Sequence, residues 1–169
     1  APDYETKTSY TATVTASDGT NSTTQDITVN VNNLNDNSPS FTSNATFTAD
    51  ENQTAIGTVT ATDADGDNVT FTVSGSELAI TSAGVLTFSS APDHETKTSY
   101  SATVTASDGT NSTTQDITVN VTNVNDNSPV ISSASSFTVD ENQTAIGTVT
   151  ATDADDDAVT FTVSGSELA

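Results

Sequence analysis

The sequence predicts an all-β protein made of antiparallel β-sandwiches in tandem, and three observations carry that prediction. The chain repeats itself: residues 1–79 and 91–169 align at an offset of 90 without a gap and differ at 13 of 79 positions. Apolar residues alternate with Thr and Ser at a period of two, the spacing of a half-buried strand. Turn signals such as SDGTN and DADGD punctuate these runs, and no stripe of period 3.6 is present.

Taken in order, Tyr10, Ala12, Val14 and Ala16 define a first strand and Ile27, Val29 and Val31 a second. The segment NLNDNSPSF, Asn33 to Phe41, then combines Asn, Asp and Pro between apolar runs, the signature of a linker. Short strands follow around Phe47, at Ile56, Val59 and Ala61, at Val69, Phe71 and Val73, at Leu78–Ile80 and at Val85–Phe88, before the opening pair returns from Tyr100 and a second linker, NVNDNSPVI, from Asn123. Roughly seven short strands per unit of this length match an immunoglobulin-like Greek-key sandwich, whereas solenoid repeats are shorter. Residues 1–36 are then the C-terminal strands of one repeat, 37–126 a complete repeat, and 127–169 the N-terminal strands of the next, so both ends are expected to fall inside a domain.

Composition narrows the function. The chain carries 23 Asp and Glu against two lysines, Lys7 and Lys97, for a net charge of −21 with 32% hydrophobic residues. Nucleic acid is an unsuitable partner, because phosphate binding requires basic patches. No apolar run approaches the roughly 20 residues that cross a bilayer, so no membrane insertion is expected. The absence of Cys removes disulfides and thiolate metal sites. Catalysis has little support either, since every acidic motif recurs with the repeat and is thereby given a structural explanation.

The acidic residues fall in motifs. They are DENQ (Glu51, Glu141), TDAD (Asp63 and Asp65; Asp153 and Asp155), PDYE or PDHE (Asp3 and Glu5; Asp93 and Glu95), ASDG (Asp18; Asp108) and the NxNDNSP linkers with Asp36 and Asp126. The residues named are fourteen of the 23 carboxylates. That many like charges near a linker repel strongly unless a cation sits among them. Oxygen-only ligands without a His or Cys cluster favour Ca2+ over zinc or copper, and the number of carboxylates disfavours Mg2+, which keeps its waters.

In order and spacing the five motifs resemble those of cadherin repeats, and the resemblance covers the whole chain. It implies a cadherin-like sandwich with Ca2+ at each junction, held by one domain, the linker and the next domain. The second junction would use Glu51, Asp93, Glu95, Asn123, Asn125, Asp126, Asn127, Asp153 and Asp155. The first would use Asp3, Glu5, Asn33, Asn35, Asp36, Asn37, Asp63, Asp65 and Asp108, its leading Glu lying before Ala1; Asp18 and Glu141 would serve other junctions. This sequence departs from the family pattern at Asn33 and Asn123, where the linker's first Asp is expected, and at Tyr4 and His94, where an Arg-like residue is. Two or three ions per junction remain open, with Asp67, Asp156 and Asp157 as substitute ligands.

The function expected from all this is a calcium-rigidified extracellular stalk or fibre of a bacterial surface adhesin or biofilm matrix protein. Its partners would be neighbouring repeats of the same chain or other copies of it. Two alternatives stand beside it: a polysaccharide-binding module, and a filament in which the split terminal domains of successive copies complete one another.

Overall fold

A computed structural model describes residues 1–165, and among these there are thirteen β-strands and no helix. The first two, β1 (Ser9–Ser17) and β2 (Ser22–Asn30), form an antiparallel hairpin in which Val14 faces Gln25 and Ser17 faces Ser22. Between the two linkers follow β3 (Ser40–Phe41), β4 (Thr46–Asp50), β5 (Ala55–Thr58), β6 (Ala61–Thr62), β7 (Thr70–Val73), β8 (Leu78–Ile80), β9 (Val85–Phe88), β10 (Ser99–Ser107) and β11 (Ser112–Thr122). Beyond the second linker, β12 (Val130–Ile131) pairs antiparallel with β13 (Ala151–Thr152).

Two layers make the sandwich. One sheet has the order β4-β11-β10-β7, with β4 parallel to β11; the facing layer is β5-β9-β8 together with the pair β3-β6. Inward-facing residues alternate as the sequence requires, so Val104 and Ala106 of β10 and Ile117, Val119 and Val121 of β11 are buried against Val59, Phe71, Leu78, Leu86 and Phe88. Thr and Ser take the outward positions, where β-branched side chains suit the pleated surface.

One expected strand is split in two, and another is preceded by a short strand within the segment read as linker. The strand around Phe47 is preceded by β3 in the opposite layer: the chain crosses between layers at 42–45, with the Thr42 and Ser43 N–H groups donating to the Thr60 carbonyl and the Thr118 N–H to that of Ala45. The strand through Ile56, Val59 and Ala61 breaks because the Val59 N–H donates to the Gly84 carbonyl at 2.8 Å and its side chain is fully buried. Gly84 is required there: its φ is +86° and a Cβ would lie 2.2 Å from the Val59 carbonyl oxygen. Neither break shows in the local pattern, because both are set by contacts distant in sequence.

The repeat supplies its own control. β2 and the first nine residues of β11 have the same sequence, and β1 differs from β10 only at Thr11, where β10 has Ser101; the hairpin registers coincide throughout. Yet Ile27 is 38% exposed and Val29 54%, whereas their counterparts Ile117 and Val119 are 2% and 0%. Hairpin formation is therefore local, and burial is conferred by the facing layer. In the third segment, 136–140 and 160–163, the counterparts of β4 and β7, form no strand, because the strands they pair with come later in the repeat, and Phe137, Val139 and Phe161 are exposed.

Chemical denaturation should read this difference directly. Ile117→Ala is expected to destabilise the complete sandwich by about 2–5 kcal/mol, as for deletion of a buried aliphatic side chain. Ile27→Ala, in the same local sequence, should change it by about 0.5 kcal/mol or less. Equal losses would mean that the first hairpin is packed like the second.

Candidate metal centre

Each linker is clamped by one carboxylate of the repeat that follows it. Asp155 lies at the β13 end of the third segment and is 6% exposed. Its Oδ2 accepts the backbone N–H groups of Asp126 and Asn127 at 3.1 and 2.8 Å, and its Oδ1 accepts the Asn127 side-chain amide at 2.9 Å. The Asn123 amide donates to the Asp155 carbonyl at 2.8 Å. At the first linker Asp65, 9% exposed, receives Asp36 N–H at 3.1 Å, Asn37 N–H at 2.8 Å and the Asn37 amide at 2.9 Å, while Asn33 donates to its carbonyl at 2.8 Å. The Asn side chains thus donate through nitrogen, which leaves their oxygens as acceptors.

At the second junction the chain brings four carboxylates from separate places to one point. Oxygens of Glu51, Glu95, Asp126 and Asp155 lie within 4.8 Å of one another. Glu51 follows β4, is 3% exposed, and is oriented from both sides: its Oε1 accepts the Val124 N–H at 2.8 Å and its Oε2 that of His94 at 2.7 Å. The first junction gathers Glu5, Asp36 and Asp65 in the same way, without a counterpart of Glu51. Two further groups, Asp63 with Asp65 and Asp67, and Asp153 with Asp155 and Asp157, extend the clusters along the DxD loops. Within the first of these, Asp63 Oδ2 is buried and has no hydrogen-bond partner. The loop itself turns through a left-handed residue, Gly66 at φ +82° in one copy and Asp156 at +62° in the other, a conformation that Asp tolerates.

Charge crowding is visible in the titration of these groups. Desolvation, then the nearby charges of Glu51 and Asp155, push Glu95 above the usual carboxylate range. Hydrogen bonding by the Asn127 and Asn37 side chains holds Asp155 and Asp65 below it. Glu5 accepts a hydrogen bond from its own backbone, but desolvation and the neighbouring Asp65 and Asp3 raise it.

Three expected carboxylates, Asp3, Asp93 and Asp108, stand outside the converging groups. Asp3 and Asp93 cap short turns: each accepts the backbone N–H and hydroxyl of a Thr three residues on, Thr6 at 3.3 and 2.9 Å and Thr96 at 3.1 and 3.0 Å. Asp108 faces the first linker across Asn111, whose amide donates to Asn35 Oδ1 at 2.7 Å. Asn125 lies exposed in the second linker. Sequence reasoning did not foresee Asn52, which sits at φ +63° and donates its amide to Asp126, nor Asn111. For Asn52 the signal was its recurrence after Glu51 and Glu141 in a DENQ motif. Tyr100, one position where a sugar-stacking platform would be sought, packs against Phe88 at a centroid distance of 5.0 Å under the Lys97 ammonium.

Comparison with known proteins agrees with this architecture. A family model described as "Bacterial Ig domain" matches residues 35–122, just over half of the chain. Among curated proteins, human cadherin EGF LAG seven-pass G-type receptor 2 is 34% identical over 147 residues and human protocadherin Fat 4 is 36% identical over 142. These alignments cover 76% and 75% of this chain but only 5% and 3% of those proteins, so the chain corresponds to a small part of their length. Among solved structures, mouse cadherin-23 EC22-24 superposes with a TM-score of 0.66 at 29% identity, covering 90% of this chain and 56% of that one. The protocadherin gammaB7 EC3-6 cis-dimer gives 0.75 at 27% identity, covering 90% and 44%.

The raised Glu95 makes a pH-dependent prediction for protein held in chelator. A carboxyl raised in the folded state stabilises while protonated, so its contribution is present below the ordinary glutamate value of 4.5 and is lost as pH rises through the folded value. Glu95→Gln should therefore melt above the parent at pH 7 in EDTA, with the gap closing below about pH 4.5. A Glu95→Gln protein that melts at or below the parent at pH 7 would contradict the crowding.

Proposed function

Since the chain belongs to the bacterial Ig domain family and its repeat is cadherin-like, we propose that it is a calcium-stiffened array of extracellular repeats, serving as the stalk or fibre of a bacterial surface adhesin or matrix protein. The observation that carries the reading is the convergence of Glu51, Glu95, Asp126 and Asp155, drawn from two consecutive repeats and the linker between them. Four carboxylates so close repel one another, and the Asn amides around them supply only partial positive charge. The orphaned Asp63 Oδ2 at the first junction is the mark of an acceptor that lacks its partner. A hard divalent cation bound by six to eight oxygens satisfies both conditions, and Ca2+ accepts such a flexible, carboxylate-rich shell.

In this reading Glu51, Glu95, Asp126 and Asp155 are the principal ligands of the second junction. Asp93, Asn123, Asn125, Asn127 and Asp153 complete or orient the shell. At the first junction Glu5, Asp36, Asp63 and Asp65 play that part with Asp3, Asn33 and Asn37. Bound Ca2+ neutralises each junction and fixes one sandwich on the next, because its ligands come from both sides and from the linker. Its removal leaves self-repulsion to bend the array. The partners are therefore first of all the neighbouring repeats of the same chain.

X-ray scattering with Ca2+ and with chelator tests the proposal. The radius of gyration should change, and at a free Ca2+ concentration of 100 times Kd each independent site should stabilise the folded state by about 2.7 kcal/mol. Glu51→Ala should weaken binding at the second junction by about tenfold or more, as loss of metal-site residues does. Unchanged dimensions and melting temperature on chelation would overturn the reading.

A further inference from the structure

The β1–β2 hairpin and the third segment carry apolar surfaces that fit one another. On the hairpin, Val14, Ile27 and Val29 are exposed. In the third segment Phe137, Ile146, Val149 and Val163 line a groove of about 370 Å3. The equivalents of both sets meet in the complete repeat: Val104, Ile117 and Val119 form its core with Val59, and Phe47, Ile56 and Val73 pack against it. Neither surface includes a charged residue, so two strongly acidic chains can bring these faces together. Backbone edges match as well. The hairpin is a two-stranded sheet with both outer edges free, whereas β11 and β10 use those edges to pair with β4 and β7. The counterparts of β4 and β7, 136–140 and 160–163, are the segments that form no strand. In the register of the complete repeat Val29 would lie opposite Phe137, and Val14 opposite Val163.

We propose that the β1–β2 hairpin of one copy of this chain seats in the third segment of a second copy, which then contributes Glu141 to the first junction. The docking stands on packing and register; the part of Glu141 rests on the calcium reading. The partner is a second copy because the complete repeat separates the two surfaces. Its β11 runs from the turn that touches the first linker through Asn111 to the start of the second linker, and eleven extended residues span about 35 Å. The contact is therefore head-to-tail and open, and it builds chains of copies. Neither half contains an equivalent of β9, whose Leu86 and Phe88 are buried in the complete repeat, so the joint closes less core and forms reversibly.

The first junction is where this docking has a chemical effect. At the second junction Glu51 accepts the Val124 and His94 N–H groups and joins Glu95, Asp126 and Asp155. The first gathers Glu5, Asp36 and Asp65 and lacks that fourth carboxylate. One repeat earlier, the two N–H donors are those of Leu34 and Tyr4, and the residue equivalent to Glu51 within the third segment is Glu141. A hairpin seated as in the complete repeat brings Glu141 of the second copy to those donors. The turn that presents it is already formed: Asn142 stands at φ +67°, as Asn52 does at +63° after Glu51. Both partners are thus shaped before they meet, which lowers the cost of association.

Analytical ultracentrifugation of the chain in Ca2+ tests the docking. The mean mass should rise with protein concentration; a mass that stays at that of one chain would overturn the proposal. Val29→Asp and Phe137→Asp each place a charge in one of the two surfaces, outside the core of the complete repeat, and each should weaken self-association by about tenfold or more. Mixed in equal amounts, the two variants should form a heterodimer and grow no further, since one keeps its third segment and the other its hairpin. A mixture that stays monomeric, or undiminished association of either variant alone, would overturn the docking. Glu141→Gln should weaken association in Ca2+ and leave it unchanged in EDTA; no effect in Ca2+ would overturn the part given to Glu141. If calorimetry finds no Ca2+ bound to the chain, the calcium reading fails, and the heterodimer in EDTA still decides the docking by itself.

Discussion

The junctions depend on a single local arrangement, the acceptance of two consecutive linker N–H groups by one aspartate of the following repeat. Asp65 takes those of Asp36 and Asn37, and Asp155 those of Asp126 and Asn127, with matching distances. Charge-assisted hydrogen bonds of this kind are about twice as strong as neutral ones and fix direction as well as distance. Once the linker is seated, the side chains of Asp36 and Asp126 have no choice but to approach the carboxylates of the neighbouring repeat. The crowding of negative charge is thus imposed by the backbone, and the acidity of the chain is concentrated where two repeats meet.

Much of the fold was legible because its causes are local. Alternation along 9–17, 22–30, 99–107 and 112–122 named the long strands and their inward faces, and the SDGTN turns set their register. Where reading failed, the cause was a contact distant in sequence. The break at Val59 needs the Gly84 carbonyl, and the crossing after Phe41 needs Thr60 and Thr118. Residues with mixed character obey the same division. Asp3 and Asp93 carry the right chemistry for a ligand, yet a Thr three residues on draws each into a turn. Sequence alone cannot rank those two uses of one carboxylate.

Asparagine is the other residue whose role depended on the third dimension. The linker Asn residues were expected to contribute oxygen. In the structure Asn33, Asn37, Asn123 and Asn127 also direct their nitrogens to Asp65 or Asp155, and Asn52 reaches Asp126 from 74 positions away. A side chain with both a donor and an acceptor can hold a cluster of carboxylates together and still offer an oxygen to an ion, which Lys or Arg cannot do. That property accounts for how a chain with two basic residues organises so many acidic ones.

The exact 90-residue spacing has a consequence at the level of the gene. Glu51, Glu95, Asp126 and Asp155 each have an equivalent at that interval, Glu141, Glu5, Asp36 and Asp65, so a junction is defined by sequence phase and not by which copies happen to be adjacent. Recombination between misaligned copies therefore deletes or adds whole units wherever the crossover falls, and each new boundary regains its complete set of carboxylates. The length of such an array can change in one genetic event without passing through a defective joint.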